Sequence, residues 1–278
     1  MSIFSLLRAA APSAGAHAVL GPLAELAGDW SGSGFNLIAV PNKQNGSAFR
    51  LILNTTNELI TFSPIGGPVP DRGSVQGDIN LFGLTYLQRV FDAQTKEQIH
   101  IEPGTWLNVP QTSDPEAPAT IVRQSTIPHG DVLLAQGLGS VYEGGPSIKP
   151  VSSKPTGPGL QQAGLGYLDP YLNSDLPPGM KQIYVDDMSQ ALVDAINGQK
   201  IVKTTVLNVA TAPNGGVLNI PFVTTNANAV SVEAIFWIET VERPDKTQFL
   251  QLQYTQKVIL NFLDIDWPHI SVATLIKV

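Results

Sequence analysis

Apolar and polar residues alternate at every second position through much of this chain, and that period constrains the fold more than any other feature. Phe249 to Phe262 shows it best. Leu250, Leu252, Tyr254, Val258 and Leu260 fall on one face, and Gln251, Gln253, Thr255 and Lys257 on the other. A two-residue period is that of an extended strand, whose side chains point alternately to opposite sides. Ile201 to Val209 and Val230 to Val241 are predicted as strands on the same ground, and Ser271 to Lys277 follows as the last. Earlier, Trp30 to Val40 reads as a strand, Thr85 to Phe91 pairs with Gln98 to Val109, and Thr120 to Ser125 pairs with Asp131 to Gln136. The last pair is split by Pro128-His129-Gly130, a turn signal. Ala48 to Leu53 and Glu58 to Phe62 are predicted as two strands around a turn at Asn54 to Asn57.

About ten strands are more than a flat twisted sheet holds comfortably, and closure removes exposed edges. The predicted fold is all-β, a single closed antiparallel barrel over residues 1–278. Residues 1–22 read as an N-terminal arm or short helix, and residues 142–199 as an insertion with a loop and a helix. Tyr142 to Gly166 and Asp169 to Gly179 are rich in Gly and Pro and read as extended loop. Asp186 to Asn197 is the predicted helix: Met188, Leu192, Val193 and Ile196 form its apolar stripe, Asp186 and Asp187 its start, and Gly198 its stop. Two domains joined by a linker is the alternative. One barrel is preferred because the first block of strands lacks a strong closing strand.

Composition narrows the function. The net charge is −7 and no Lys/Arg cluster offsets it, so a nucleic-acid partner is not expected. With no cysteine, disulfides, thiolate metal sites and thiol nucleophiles are out, and a reducing, cytoplasmic location is the expectation. No apolar run reaches the roughly 18 residues of a membrane-spanning helix, so no membrane partner is expected. Arg8 follows Phe4, Leu6 and Leu7, the reverse of the order in a secretory leader.

Four histidines can be weighed singly. His17 lies in the Ala-rich arm and reads as solvated. His129, in its turn, reads as pointing to water. His100 and Glu102 share a strand face opposite Ile99 and Ile101, about 7 Å apart at two residues of rise. If that face looks inward, the pair can hold a proton, a water or a polar ligand; if outward, it is a polar rim. His269, between Pro268 and Ile270, reads from periodicity as a satisfied core residue. There is no glycine-rich phosphate loop, nucleophile elbow or H-E-x-x-H. Asp186/Asp187 and Asp264/Asp266 suit a helix start and a turn.

Three ordered motifs carry a resemblance. They are Leu26-Ala27-Gly28-Asp29-Trp30-Ser31-Gly32-Ser33-Gly34, His100-Ile101-Glu102-Pro103-Gly104-Thr105-Trp106 and Pro268-His269-Ile270-Ser271-Val272-Ala273-Thr274-Leu275. Together they resemble the opening, middle and closing strands of the nitrobindin-type haem-binding β-barrels, which have a lipocalin- or fatty-acid-binding-protein-like fold. The resemblance implies haem b with His269 as axial ligand of the iron and His100 on the distal side. Trp30, Gly32, Gly34 and Trp106 would lie at the cofactor. It also implies nitric oxide, peroxynitrite or peroxide-type chemistry. This chain is longer than that family's barrels, the excess falling mainly before Ile201. Gly34-Phe35-Asn36 and Ile127-Pro128-His129-Gly130 resemble features of a larger branch of such barrels.

Two other functions stay open. One is a haem-free carrier of an apolar small molecule, its interior lined by groups such as Trp30, Phe236, Leu252 and Tyr254. The other is a structural or interaction barrel whose Tyr142 to Gly179 loop docks on a partner or on a second copy in a homo-oligomer.

Overall fold

The computed structural model describes residues 18–160 and 168–278. The expectations for residues 1–17, including His17, and for 161–167 within the insertion lie outside that range. Ten strands form the barrel. They are β1 (Gly28–Pro41), β2 (Phe49–Pro64), β3 (Ile79–Asp92), β4 (Gln98–Val109), β5 (Thr120–Ile127), β6 (Asp131–Glu143), β7 (Lys200–Ala210), β8 (Asn228–Glu242), β9 (Gln248–Phe262) and β10 (Ile265–Lys277).

Each strand pairs antiparallel with the next in sequence, and β10 pairs back onto β1, so the sheet is closed. The closing register runs from Trp30 opposite Lys277 to Leu37 opposite Ile270. Gly32 and Gly34 are needed at this seam. A Cβ on Gly34 would stand 2.0 Å from the Val272 carbonyl oxygen, and one on Gly32 2.1 Å from that of Thr274. The seam therefore explains these glycines through the approach of two backbones.

Strand β2 corrects the sequence reading. Asn54 to Asn57 is no turn: Phe49–Pro64 is one continuous strand, paired with β1 along its length. Of the polar residues that imitate a turn, Asn54 and Thr56 are inward positions with partners inside the barrel, and Thr55 faces outward, donating to the Pro178 carbonyl of the insertion at 2.7 Å. Thr56 donates to Glu58 at 2.9 Å, and Asn54 to Asp92 at 2.7 Å.

The apolar core has two parts on opposite sides of the wall. Inside, Trp30, Ile60, Phe62, Leu84, Trp106, Phe236 and Leu252 fill one end of the barrel. A 3₁₀ turn at Gly21–Leu26 stoppers that end, with Leu20, Leu23 and Leu26 in the same cluster. Outside, Leu37, Ala39, Ile270 and Val272 are covered by Tyr171, Tyr184, Met188 and Leu192 of the insertion. The insertion thus lies on the outer wall of β1 and β10. Fully burying such a side chain contributes roughly 1.5–3 kcal/mol, so this cover is firmly seated.

The insertion also departs from expectation in detail. Tyr142 and Glu143 belong to β6. The single helix predicted over Asp186–Asn197 is two short ones, α2 (Gln182–Asp186) and α3 (Gln190–Ala195), after α1 at Asp169–Asn173. Asp187 leaves the helix between them because its carboxylate accepts from the backbone N–H of Val151 and of Ser189. A fourth helix, α4 (Pro221–Asn226), lies between β7 and β8. Among the described residues no helix is long and apolar enough to cross a membrane.

Candidate functional site

At the end of the barrel away from the 3₁₀ stopper the interior changes from apolar to polar. A layer of buried polar groups spans the middle. Glu102 and Arg123, 0% and 1% exposed, are paired at 2.6 Å. Arg123 also donates through Nε to the Tyr86 hydroxyl at 3.0 Å and through Nη1 to Gln256 at 2.6 Å. Its guanidinium lies 5.4 to 5.8 Å from the ring centres of Phe236, Tyr86 and Trp106. Tyr86 donates to Glu102. Burial works to raise the Glu102 carboxyl. The Arg123 charge and the His100 and Tyr86 hydrogen bonds outweigh it and hold Glu102 well below the usual carboxylate range.

Glu58 is the second buried carboxyl of this layer, and among the described residues no cation is paired with it. It accepts from the Tyr254 hydroxyl at 2.6 Å, from Thr56 at 2.9 Å and from Gln88 at 3.2 Å. Burial raises its pKa in spite of these donors.

Above this layer is a pocket of about 270 Å³. Its floor is Gln88, Tyr254 and Gln256, which tie it to the two carboxyls beneath. Its walls carry the aliphatic Ile38, Val40, Ile52, Val90 and Ile99, with Asn36, Asn54 and Ser271 among them. Three histidines meet there: His100 of β4, His129 of the β5–β6 turn and His269 of β10.

Register explains the convergence. Val90 stands opposite His100, and Gln256 and Val258 opposite Ser271 and His269. The β5–β6 turn falls at the same rim as the start of β4, because β4 and β5 run antiparallel. His100 Nε2 is 3.3 Å from Glu102 Oε2, so the inward reading of that face holds. The His100 and His129 rings are 5.8 Å apart between centres. Burial, with the nearby His100, lowers the pKa of His129.

His269 is held by Asn36, whose Oδ1 is 2.7 Å from Nε2 and also accepts from Ser271 Oγ at 3.0 Å. Among the described residues no group bonds Nδ1. Burial, reinforced by His100 and His129, pushes the His269 imidazole down to about 3, so it is neutral at physiological pH. Among the described residues no group of three or more His, Asp or Glu side chains is arranged to hold a bare metal ion.

Of the residues expected at a cofactor, the structure brings His269 and His100 to one pocket. It places Trp30, Gly32, Gly34 and Trp106 elsewhere. Trp30 is buried in the apolar end, donating from Nε1 to the Leu26 carbonyl at 2.7 Å, and Trp106 packs edge-on to Phe236. Neither these tryptophans nor the two seam glycines line the pocket. Sequence reasoning missed His129, Gln88 and Gln256. The signal for His129 was its place in a hairpin turn at the rim where His100 begins its strand.

A larger open depression, about 660 Å³, lies at the stoppered end between Glu25, Glu143, Lys203 and Lys277. Its cations are already engaged: Lys203 pairs with Glu25 at 2.5 Å, and Lys277 donates to the Glu25 carbonyl at 2.9 Å.

No protein-family model matches the chain, and no curated protein matches it. Among solved structures, Rv2717c from M. tuberculosis is similar with a TM-score of 0.48 and 15% identity, over 96% of this chain and 99% of that one.

Proposed function

We propose that this barrel binds a small molecule in the histidine pocket and that its occupant is haem, held through His269. The observation that carries this is a neutral imidazole with one nitrogen anchored and the other free, set in a largely aliphatic wall. A protein needs only one such imidazole to hold haem iron, whereas a bare ion needs a fuller set of ligands. The anchored nitrogen matches the general rule that a ligating histidine donates its other N–H to a neighbour. The donors therefore fit the cofactor.

When bound, haem supplies an iron with an open position for a diatomic or peroxide-type molecule, in line with the nitric oxide or peroxynitrite chemistry that the sequence resemblance implies. The chain's own residues do the rest. Ile38, Val40, Ile52, Val90 and Ile99 keep water from the walls. His100, oriented by Glu102, and His129 offer exchangeable protons to whatever occupies the pocket.

The test is titration of the purified protein with hemin. A saturable Soret band is expected in the wild type and its loss or shift in His269→Ala. Absence of any band in the wild type refutes the cofactor, and an unchanged band in His269→Ala refutes the ligand.

One observation favours a second reading. The pocket's 270 Å³ falls just below the roughly 300–1,000 Å³ of sites for drug-sized ligands, and a macrocycle the size of haem would not be wholly enclosed. A haem-free carrier of a smaller apolar molecule fits that volume. Mass spectrometry of the solvent-extracted native protein separates the two.

A further inference from the structure

Four side chains from four consecutive strands form one hydrogen-bonded chain along the barrel wall. They are Asp92 at the end of β3, Asn54 of β2, Asn36 of β1 and His269 of β10. Asn36 stands directly opposite Asn54 on one side and Ser271 on the other. Asp92 is paired with Thr56, two residues along β2 from Asn54.

The chain has a direction, and Asp92 sets it. Asp92 Oδ1 accepts from the backbone N–H groups of Gln94 and Thr95, both at 2.8 Å, in the turn that follows β3. Its Oδ2 is left for Asn54 at 2.7 Å. A carboxylate only accepts, so Asn54 must turn its NH₂ to Asp92. The Asn54 carbonyl then faces Asn36 and accepts from its Nδ2 at 3.4 Å, the longest link. That leaves the Asn36 carbonyl for His269 Nε2 and Ser271 Oγ. Amide orientations are commonly ambiguous by a half-turn. Here the acceptor-only end removes the ambiguity at each step.

We infer that Asp92 is a positioning residue: through Asn54 and Asn36 it fixes the proton of His269 on Nε2, so that Nδ1 meets the ligand as a bare lone pair. The pocket then takes a metal centre or a ligand N–H or O–H at that point, and not a group that can only accept. The consequence for the ligand rests on His269 being the group that holds it. The tautomer itself does not.

The experiment reads the tautomer directly in the ligand-free protein. Long-range ¹H–¹⁵N correlation spectra of ¹⁵N-labelled protein distinguish protonated from bare ring nitrogens, and His269→Gln identifies the resonances. The wild type is expected with Nε2 protonated and Nδ1 bare. In Asp92→Asn, the new Oδ1 stays on the Gln94 and Thr95 amides and the new NH₂ faces Asn54. Asn54 must then present its carbonyl, Asn36 must present its NH₂ to Nε2, and the His269 proton moves to Nδ1. The Ser271 hydroxyl can accept as well as donate and follows.

Adding Asn36→Asp to Asp92→Asn restores an acceptor at Nε2 and is expected to return the proton there. A merely structural role for Asp92 would move melting temperature without inverting the ring. A wild type with the proton on Nδ1 overturns the inference, as does a folded Asp92→Asn variant with an unchanged tautomer. Should Asp92→Asn not fold, Asn54→Leu cuts the chain. It is expected to give a mixture of tautomers, and a single unchanged one overturns the inference. Hemin titration is a separate arm. Asp92→Asn is expected to bind hemin about 10–100-fold more weakly, the usual effect of losing a partner behind a ligand. Failure of the wild type to bind hemin refutes the cofactor while leaving the tautomer result standing.

Discussion

Replacing Arg123 by leucine is expected to destabilise the barrel by about 3–5 kcal/mol, the cost of leaving one member of a buried ion pair without the other. The structure puts the residue in that class. Arg123 and Glu102 are both buried, 2.6 Å apart, with no bulk solvent to replace the lost guanidinium. For a domain of this size each kcal/mol shifts the melting temperature by roughly 2–4 °C, so a fall of about 6–20 °C is expected. The effect must also depend on pH. In the wild type, burial raises the Glu102 carboxyl, and the Arg123 charge together with His100 and Tyr86 more than reverses it. Such a depressed group stabilises the fold above its unfolded value of about 4.3 and loses that contribution only in strong acid. In Arg123→Leu, burial, the largest single effect on Glu102, remains while the largest opposing one is gone, and the folded pKa is expected to rise above the unfolded one. The sign then inverts, and stability is lost as pH rises through that window. Urea denaturation at pH 5 and pH 8 should therefore show the larger deficit at pH 8. The double variant Arg123→Leu/Glu102→Gln removes the stranded charge and should recover most of the loss. A single variant within about 1 kcal/mol of wild type at pH 8 would refute the reasoning, as would a double variant no more stable than the single.

Gly34→Val is expected to lower stability by about 1–3 kcal/mol or more, because its Cβ would stand 2.0 Å from the Val272 carbonyl oxygen at the closing seam. Thermal melting checks this, and coincident curves would mean that β1 and β10 are not so close. Glu239 lies buried on the outer wall with one oxygen unpartnered, and burial, against a hydrogen bond from Gln251, raises its pKa to about 7. A raised carboxyl favours the fold below its unfolded pKa, and that advantage fades as pH rises to about 7. Glu239→Gln is therefore expected to be more stable than wild type at pH 8, by up to about 3 kcal/mol, and to flatten the decline between pH 5 and 7. Parallel pH–stability curves would refute the assignment.

Much of the barrel was legible because period two survives whatever the residues are. Strands β4, β5, β7, β8 and β9 fall close to their predicted spans, while β3 begins at Ile79 and not Thr85, β6 runs on to Glu143 and not Gln136, and β10 begins at Ile265 and not Ser271; the long insertion lies outside the barrel as its composition suggested. The errors share a cause. Asn54-Thr55-Thr56-Asn57 has turn chemistry, and sequence offers no way to know that Asn54 finds Asp92, or that Thr56 finds Glu58, inside the barrel. Asp187 breaks the predicted helix for a backbone partner at Val151, 36 residues away. Gln251 and Gln253 read as the polar face of their strand, and they are buried all the same, Gln253 donating to the Leu192 carbonyl of the insertion. For the site, His100 and Glu102 were legible as a pair because both lie on one strand. Arg123, Gln256 and Glu58 were not, because each reaches the site from another strand through a register that no local pattern records.

Closure explains why the polar chemistry gathers where it does. A barrel without edges can admit a ligand only at its ends, and here one end is stoppered by Leu20, Leu23 and Leu26 over Trp30. Burying charges beside that apolar cluster is tolerable only where they are paired, which the Glu102–Arg123–Gln256 layer achieves while forming the pocket floor. The strand that carries His269 is covered on both sides. Ala273 and Leu275 face the interior, while Ile270 and Val272 lie under Tyr184, Met188 and Leu192 of the insertion. The insertion reaches the pocket rim, where Thr156 exchanges backbone hydrogen bonds with Asp266, three residues before His269. The insertion therefore packs behind the strand that holds His269 and, on the proposed function, buttresses the pocket from outside the barrel.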